Sequence, residues 1–221
     1  MRHIRFSPWF VLATLLLVGC SEPARPTINL YRAIHAGDLD QIKRHLYWGT
    51  DVNQPDPHGE LALHVAARRS RVVIARELLK HGANVNGENR QGQTPLHVAL
   101  VNGKTQVAGV LVDNGAADDP QALLFGLVGE GVDDRDSLDF LIKRGADVDA
   151  RNDAGASPLH LAVSEGHLLL AKRLIDQGAD VNLPDGTGRT PLAMATSNDD
   201  RDIVTLLERF GARLEPPDAP Q

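Results

Sequence analysis

Nine histidines in this 221-residue chain could supply metal ligands, because a neutral imidazole is the commonest metal ligand in proteins. Three of them, His64, His97 and His160, occur at one position of a repeated sequence segment. Stacked copies of a segment place equivalent residues far apart along the stack, so these three do not converge on one ion. The pattern therefore favours a structural role over a metal site.

Two further segments resemble ligand-binding loops only in part. Residues 103–105 match the end of a phosphate-binding loop, but Val98 replaces its first glycine and no strand precedes it. Residues 180–186 contain the Asp, Asn and Gly of a calcium loop, but Pro184 occupies a ligand position and Pro191 replaces the closing glutamate. The sequence therefore predicts no metal, no cofactor and no small-molecule substrate. No catalytic motif indicates an enzyme.

Six glycines, called the repeat glycines below, recur along the chain at intervals of 33, 33, 30, 33 and 33 residues: Gly49, Gly82, Gly115, Gly145, Gly178 and Gly211. A leucine precedes five of these glycines by nineteen residues, at Leu30, Leu63, Leu96, Leu159 and Leu192. A period of about 33 residues predicts a solenoid of stacked units.

Each unit reads as helix, turn, helix and finger, where a finger is the loop that leads to the next unit. Thr94, Ser157 and Thr190 are N-cap candidates, and each precedes a proline at the first helical position. The repeat glycine ends the second helix, because glycine adopts the left-handed conformation readily. An Asn/Asp-x-x-Gly segment then predicts a short hairpin at the fingertip.

These motifs, in particular Thr94-Pro-Leu-His97, Ser157-Pro-Leu-His160 and the run from Gly178 to Asn182, resemble the ankyrin repeat. The resemblance implies an all-α repeat solenoid of about six helix-turn-helix units with short β-hairpin fingers, and a role in binding another protein. It also implies that the three repeated histidines bind groups of neighbouring loops. The expected units span residues 28–59, 60–92, 93–120, 121–155, 156–188 and 189–214.

The fourth unit departs from the pattern. Its first helix is expected near Leu123, with the preceding finger shortened by about six residues and the following turn lengthened by about three. Gly126, Gly129 and Gly131 are expected inside that helix, where each costs up to about 1 kcal/mol relative to alanine. We therefore expect the solenoid to open first at this unit.

The N-terminus has the features of a secretory signal, because basic residues precede the apolar run 9–18, which is too short to span a membrane. Residues 17–20 (Leu-Val-Gly-Cys) resemble the lipobox of bacterial lipoproteins, which implies cleavage after residue 19 and acylation of Cys20. Ser21 is typical of an outer-membrane address. The alternative is an ordinary cleaved signal with an incidental cysteine. Residues 20–27 are predicted to be a lipidated tether, and residues 215–221 a disordered tail.

The formal net charge of −6 disfavours nucleic acid as a partner. Charge is unevenly distributed, since residues 27–92 contain nine Lys/Arg and seven Asp/Glu, whereas residues 93–155 contain five and eleven. The family's binding surface, transferred by register, gives the candidate partner-binding residues His58, Arg68, Arg69, Arg90, Gln91 and Asn102. Two functions remain open, a scaffold or helper for a periplasmic protein and an immunity protein that occludes a toxic hydrolase. An enzyme with an unrecognised site is a distant third.

Overall fold

The computed structural model describes residues 22–214. The predicted signal, Cys20 and the C-terminal tail lie outside these residues. The described part forms twelve α-helices and no β-strand: α1 Leu30–Ala36, α2 Leu39–Tyr47, α3 Ala62–Arg68, α4 Val72–Lys80, α5 Pro95–Val101, α6 Thr105–Asp113, α7 Pro120–Gly129, α8 Arg135–Ile142, α9 Pro158–Ser164, α10 Leu168–Asp176, α11 Pro191–Ser197 and α12 Arg201–Arg209. The prediction of an all-α repeat solenoid is confirmed.

The helices begin where the sequence predicts. The side chains of Thr94 and Thr190 accept hydrogen bonds from the backbone N–H three residues on, and a proline occupies the first helical turn. Ser157 forms a reciprocal capping box with His160. The repeat glycines come after the second helix of each unit. They have positive φ, for example 98° at Gly178, and so end that helix.

The helices form two layers. The odd-numbered helices pack in chain order from α1 to α11, and each packs against the even-numbered helix of its own unit. Leucine, alanine, isoleucine and valine fill the space between the layers as one continuous core. Small side chains suit this thin core because the paired helices approach closely. At the C-terminal end Glu208 of α12 is exposed, consistent with a helix that no further unit covers.

The fingers differ from the prediction in one respect, because within residues 22–214 they contain no β-hairpin ladder. Four fingertips are tight turns closed by two backbone hydrogen bonds, for example from Asn89 N–H to the Gln93 carbonyl at 3.0 Å and from Gly92 N–H to the Asn89 carbonyl at 3.0 Å. The remaining N–H groups of these turns bond to a side chain and not to a second strand, for example to that of Asn89.

The fourth unit is irregular, but in different detail from the prediction. Its first helix, α7, begins at Pro120 behind the N-cap Asp119, earlier than expected, so residues 114–119 are all that remains of the finger. Gly131 lies outside α7 in the left-handed region, with φ of 69°, and ends the helix. Only Gly126 and Gly129 are helical, and the longer turn before α8 spans residues 130–134.

The segment 22–27, part of the tether predicted for residues 20–27, packs on the first unit. The indole N–H of Trp48 donates to the Pro23 carbonyl at 3.2 Å, and the Arg25 guanidinium lies 4.6 Å from the centre of the Trp48 ring. The Thr27 N–H donates to Gln41 of α2 at 2.9 Å. None of the helices among residues 22–214 is long and apolar enough to cross a membrane.

Candidate functional site

Four fingertips are held by the same arrangement of a single side chain, from Asp56, Asn89, Asn152 or Asp185. In each, the side-chain Oδ1 accepts from the backbone N–H two and four residues further on, at 2.8–3.0 Å. The two residues after the Asp or Asn therefore project from a loop whose own polar groups are satisfied. Such a loop loses little entropy when it binds, which favours a recognition surface.

Three of these fingertips, those held by Asp56, Asn89 and Asp185, are also connected to the unit before them through the predicted histidine position. His64 Nε2 donates to the Gln93 carbonyl at 2.8 Å, and His160 Nε2 donates to the Arg189 carbonyl at 3.2 Å. In the first unit Tyr31 takes this position and donates to the Glu60 carbonyl at 2.9 Å. Burial raises the pKa of Tyr31 to about 12, with a further contribution from Asp56.

His97 has a different partner because the finger after the third unit is short. Its Nε2 lies 2.8 Å from Oε1 of Glu130, just after the end of α7, instead of a loop carbonyl. Gly126 lies against the same imidazole, since a Cβ there would lie 3.5 Å from Cε1 of His97. The prediction that these histidines bind groups of neighbouring loops is therefore confirmed for His64 and His160, and His97 binds a side chain of the turn that follows α7.

Burial lowers the pKa of His64 and of His160. Both are neutral in the fold, because His64 Nδ1 has no hydrogen-bond partner among residues 22–214 and His160 Nδ1 accepts from Ser157 N–H at 3.2 Å. In the unfolded chain the two imidazoles bind a proton with a pKa near 6.5. The free energy of unfolding should therefore fall as the pH drops from 7.5 to 5.5. We expect a loss on the order of 1 kcal/mol per histidine.

Urea denaturation at both pH values measures this loss. The variant His160→Gln keeps a donor for the Arg189 carbonyl but has no proton to gain in this range, so it should show a smaller pH dependence. His58→Ala, at an exposed fingertip, is the control and should behave as wild type. An identical pH dependence in wild type and His160→Gln would refute this account of His160.

A second set of side chains joins the bases of adjacent fingers. The amide of Asn53 donates to the Gly82 carbonyl at 2.9 Å and accepts from Asn84 N–H at 2.7 Å. Asn86 and Asn182 repeat these two bonds with the fingers that follow them. At the shortened junction Gln121 of α7 makes both bonds to the next finger. The fingers therefore form one connected row on the side of the odd-numbered helices.

Of the predicted partner-binding residues, Arg68 is not a free positive charge. Its guanidinium makes a two-pronged ion pair with Glu60, and the side chains are 38% and 16% exposed. This hydrogen bond raises the pKa of Arg68 further above its ordinary value. Arg68→Glu would place two carboxylates together, so we expect this charge reversal to destabilise the fold.

The other candidates are exposed, and three lie on two neighbouring fingertips. His58 and Gln91 each follow the Asp or Asn that holds the turn by two residues. Arg90 extends over Gly59, because a Cβ on Gly59 would lie 2.3 Å from Cγ of Arg90. Arg69 lies beyond the end of α3, and Asn102 binds the Val98 carbonyl of its own helix at 2.8 Å. The structure thus brings His58, Arg90 and Gln91 together on contacting fingertips.

A cleft on the other layer was not predicted from sequence. It has a volume of about 380 Å³ between α8 and α10 and is lined by Arg135, Leu138, Leu169, Lys172, Arg173, Asp176 and Gln177. Lys172 is paired with Asp176 at 2.6 Å. In residues 22–214 there is no group of three or more His, Cys, Asp or Glu side chains that could hold a metal ion.

A row of rigid, exposed fingertips beside a layer of short helices defines a repeat-built domain that binds other proteins. The chain belongs to the ankyrin-repeat family, since the family model "Ankyrin repeats (3 copies)" matches residues 30–122 and 128–218. The residues between the two matched stretches lie within α7. The interruption therefore falls in the irregular fourth unit, where the finger is short.

Solved ankyrin domains have the same architecture. The ankyrin-repeat domain of Bcl-3 matches with a TM-score of 0.66 and 25% identity, over 86% of this chain and 89% of that one. The ankyrin-repeat domain of human ASB11 matches with a TM-score of 0.66 and 27% identity, over 85% of each chain.

Two other matches are more limited. A chain in the complex of the Bd0816 predatory endopeptidase from Bdellovibrio bacteriovorus with the immunity protein Bd3460 matches with a TM-score of 0.61. Its identity is 24%, over 81% of this chain and 96% of that one, and this shows the fold alone. The 60 kDa lysophospholipase of Mus musculus is 42% identical over 50 residues, which are 23% of this chain and 9% of that protein.

Proposed function

We propose that this chain is a lipid-anchored protein-binding module of the bacterial cell envelope that faces the periplasm. It holds a protein of that compartment, as a scaffold or helper, against its fingertips and the exposed faces of the odd-numbered helices. The observation that carries the binding role is the shared turn at Asp56, Asn89, Asn152 and Asp185, which presents exposed side chains from loops that are already ordered.

The first two fingertips are the part of this surface that we assign to the partner. His58, Arg90 and Gln91 lie there together, and the short loop 114–119 leaves the row open one unit further on. Arg69 and Arg90 supply the exposed positive charge, since Arg68 is neutralised by Glu60. The matching partner surface is acidic, and charge complementarity of this kind raises the association rate more than the final affinity.

The anchor is inferred from Leu17-Val-Gly-Cys20 and from the apolar run that precedes it. Cys20 is the single cysteine of the chain, so an acylated Cys20 would be the one thiol-linked attachment to the membrane. Stable attachment requires about two membrane-binding signals, which more than one acyl chain on this residue would provide. Ser21 favours the outer membrane.

Cys20→Ala should release the protein from the membrane while its solenoid stays folded, because the core of the solenoid is formed by residues between Leu30 and Leu207. Cells expressing wild type, Cys20→Ala or the matched control Ser21→Ala are fractionated, and each form is assayed by immunoblot. Wild type and Ser21→Ala should sediment with membranes. If Cys20→Ala sediments with them equally well, the lipid anchor is wrong.

The second candidate is an immunity protein that occludes a toxic periplasmic hydrolase. The observation in its favour is that the same fold occurs in the complex of the Bd0816 endopeptidase with the immunity protein Bd3460. The two candidates differ in the effect of deleting the gene. Loss of an immunity protein should be lethal only while the hydrolase is present, whereas loss of a scaffold should impair its partner's assembly or activity.

A further inference from the structure

The start of the described chain is fixed against the first unit, and it lies two residues after Cys20. The Trp48 indole holds the Pro23 carbonyl, and the Arg25 guanidinium stacks on the same ring. Two residues span at most about 7 Å even when fully extended. The Cα of residue 20, where the acylated side chain begins, therefore lies within about 7 Å of the Cα of Glu22, on the side of the molecule where α2 ends.

The surface beside this point has the composition of a membrane interface. Tyr47, the last residue of α2, is 56% exposed and packs edge-on against Trp48, with ring centres 5.5 Å apart. Lys43 is exposed one helical turn earlier, so it lies on the same face of α2 as Tyr47. Tyrosine and tryptophan rings concentrate at the headgroup level of bilayers, where one end of each ring is apolar and the other is hydrated.

We propose that the anchor-side patch, formed by Arg25, Lys43, Tyr47 and Trp48, rests on the phospholipid headgroups and holds the first unit against the membrane. This inference depends on the lipid anchor proposed above. The anchor brings the patch to the bilayer, and the patch then fixes the orientation of the solenoid. Because the odd-numbered helices stack in chain order, the sixth unit lies furthest along the stack from the anchor-side patch.

The aromatic rings, more than the charges, carry this contact. Glu22 is exposed next to the patch and Asp40 lies on α2 one turn before Lys43, so the local positive charge is offset. An interaction carried by charge would weaken with added salt, whereas one carried by buried aromatic area would not. We therefore expect the contact to persist at high ionic strength.

Trp48 reports on this contact directly, because it is the only tryptophan after residue 20. The lipidated protein is reconstituted into vesicles of phosphatidylethanolamine and phosphatidylglycerol, with or without phospholipids brominated near the headgroup. Bromine quenches tryptophan at short range, so Trp48 fluorescence should fall by roughly half in brominated vesicles, in low and high salt alike. A matched control carries Trp48→Phe with Phe210→Trp, which moves the tryptophan beyond α12, and it should not be quenched.

Flotation of the same samples separates the two possible failures. If the protein floats with the vesicles but Trp48 is not quenched, or is quenched no more than the control, the anchor stands and the patch is refuted. If the wild-type protein purified from membranes does not float, the anchor fails and the patch fails with it. Quenching of Trp48 that is lost in Tyr47→Ser, while flotation persists, would support the patch as argued.

Discussion

Replacing Asp185 by alanine is expected to lower the free energy of unfolding by about 1–2 kcal/mol, because it leaves the part-buried N–H groups of the turn without their acceptor. The Asp185 side chain is 6% exposed, and its Oδ1 accepts from Thr187 N–H at 2.8 Å and from Arg189 N–H at 3.0 Å. The Arg189 carbonyl is also the acceptor for His160 of the preceding unit. Loss of this turn therefore weakens the contact between the fifth and sixth units as well. Urea denaturation measures the effect.

Asp185→Asn is the matched control, since it retains Oδ1 and loses only the ion pair with Arg189, whose side chain is 56% exposed. Asn89 and Asn152 already perform the same function in other fingers. We therefore expect a cost below about 1 kcal/mol at pH 7. A cost equal to that of the alanine variant would show that the carboxylate charge, and not the turn, is responsible.

The pKa of Asp185 lies well below its usual range because hydrogen bonds from Thr187 and Arg189 outweigh the opposing effect of burial. Its contribution to stability is fully present above the unfolded pKa of about 3.9 and is lost as the pH falls toward the folded value. Asp185→Asn should therefore lose less stability than wild type between pH 5 and pH 3.

Amide hydrogens of α7 and α8 are expected to exchange with solvent at least about tenfold faster than those of the second and fifth units. α7 packs less extensively on α5 than α3 does, and a cleft separates α8 from α10. Two glycines within α7 lower its helix propensity further. The fourth unit is thus weakly connected to the third unit through α7 and to the fifth unit through α8, and in a solenoid such a unit opens first.

Exchange followed by mass spectrometry on peptides from residues 120–142, 62–80 and 158–176 measures this difference. Gly129→Ala provides a matched variant, because a Cβ at Gly129 would meet no neighbouring atom. It should stabilise the helix by about 0.5–1 kcal/mol and slow exchange in residues 120–142. Equal protection in the three regions of the wild-type protein would contradict the account.

Much of the fold can be read from the sequence because its signals are local and repeated. A threonine or serine before proline specifies a helix start, as at Thr94 and Ser157, and a left-handed glycine specifies a helix end, as at Gly178. Where the period breaks, prediction fails in detail. Gly131 is predicted to lie inside a helix but ends it, because the irregular fourth unit has no equivalent unit from which its register can be inferred.

The contacts between units are hardest to predict where the repeat is broken, because a non-equivalent residue then bonds a group about 30 positions away. Tyr31 takes the histidine position in the first unit, and Gln121 replaces the asparagine that the short finger lacks. The sequence predicts Arg68 to be a free surface charge, because it does not show that Glu60 lies beside it. Residues 22–27 dock on the first unit through contacts that follow no periodic pattern. The composition of this segment therefore predicts only a tether.

The central claim is that this solenoid binds a periplasmic protein through its fingertips, and site-specific photo-crosslinking in intact cells tests it most directly. A photoreactive amino acid is placed at His58 or Arg90 on the fingertips, and at Arg76 or Gln106 on the exposed side of α4 and α6. The account predicts a discrete adduct with one envelope protein from the fingertip positions and none from the helix positions. Adducts from Arg76 or Gln106 alone, with none from His58 or Arg90, would contradict it.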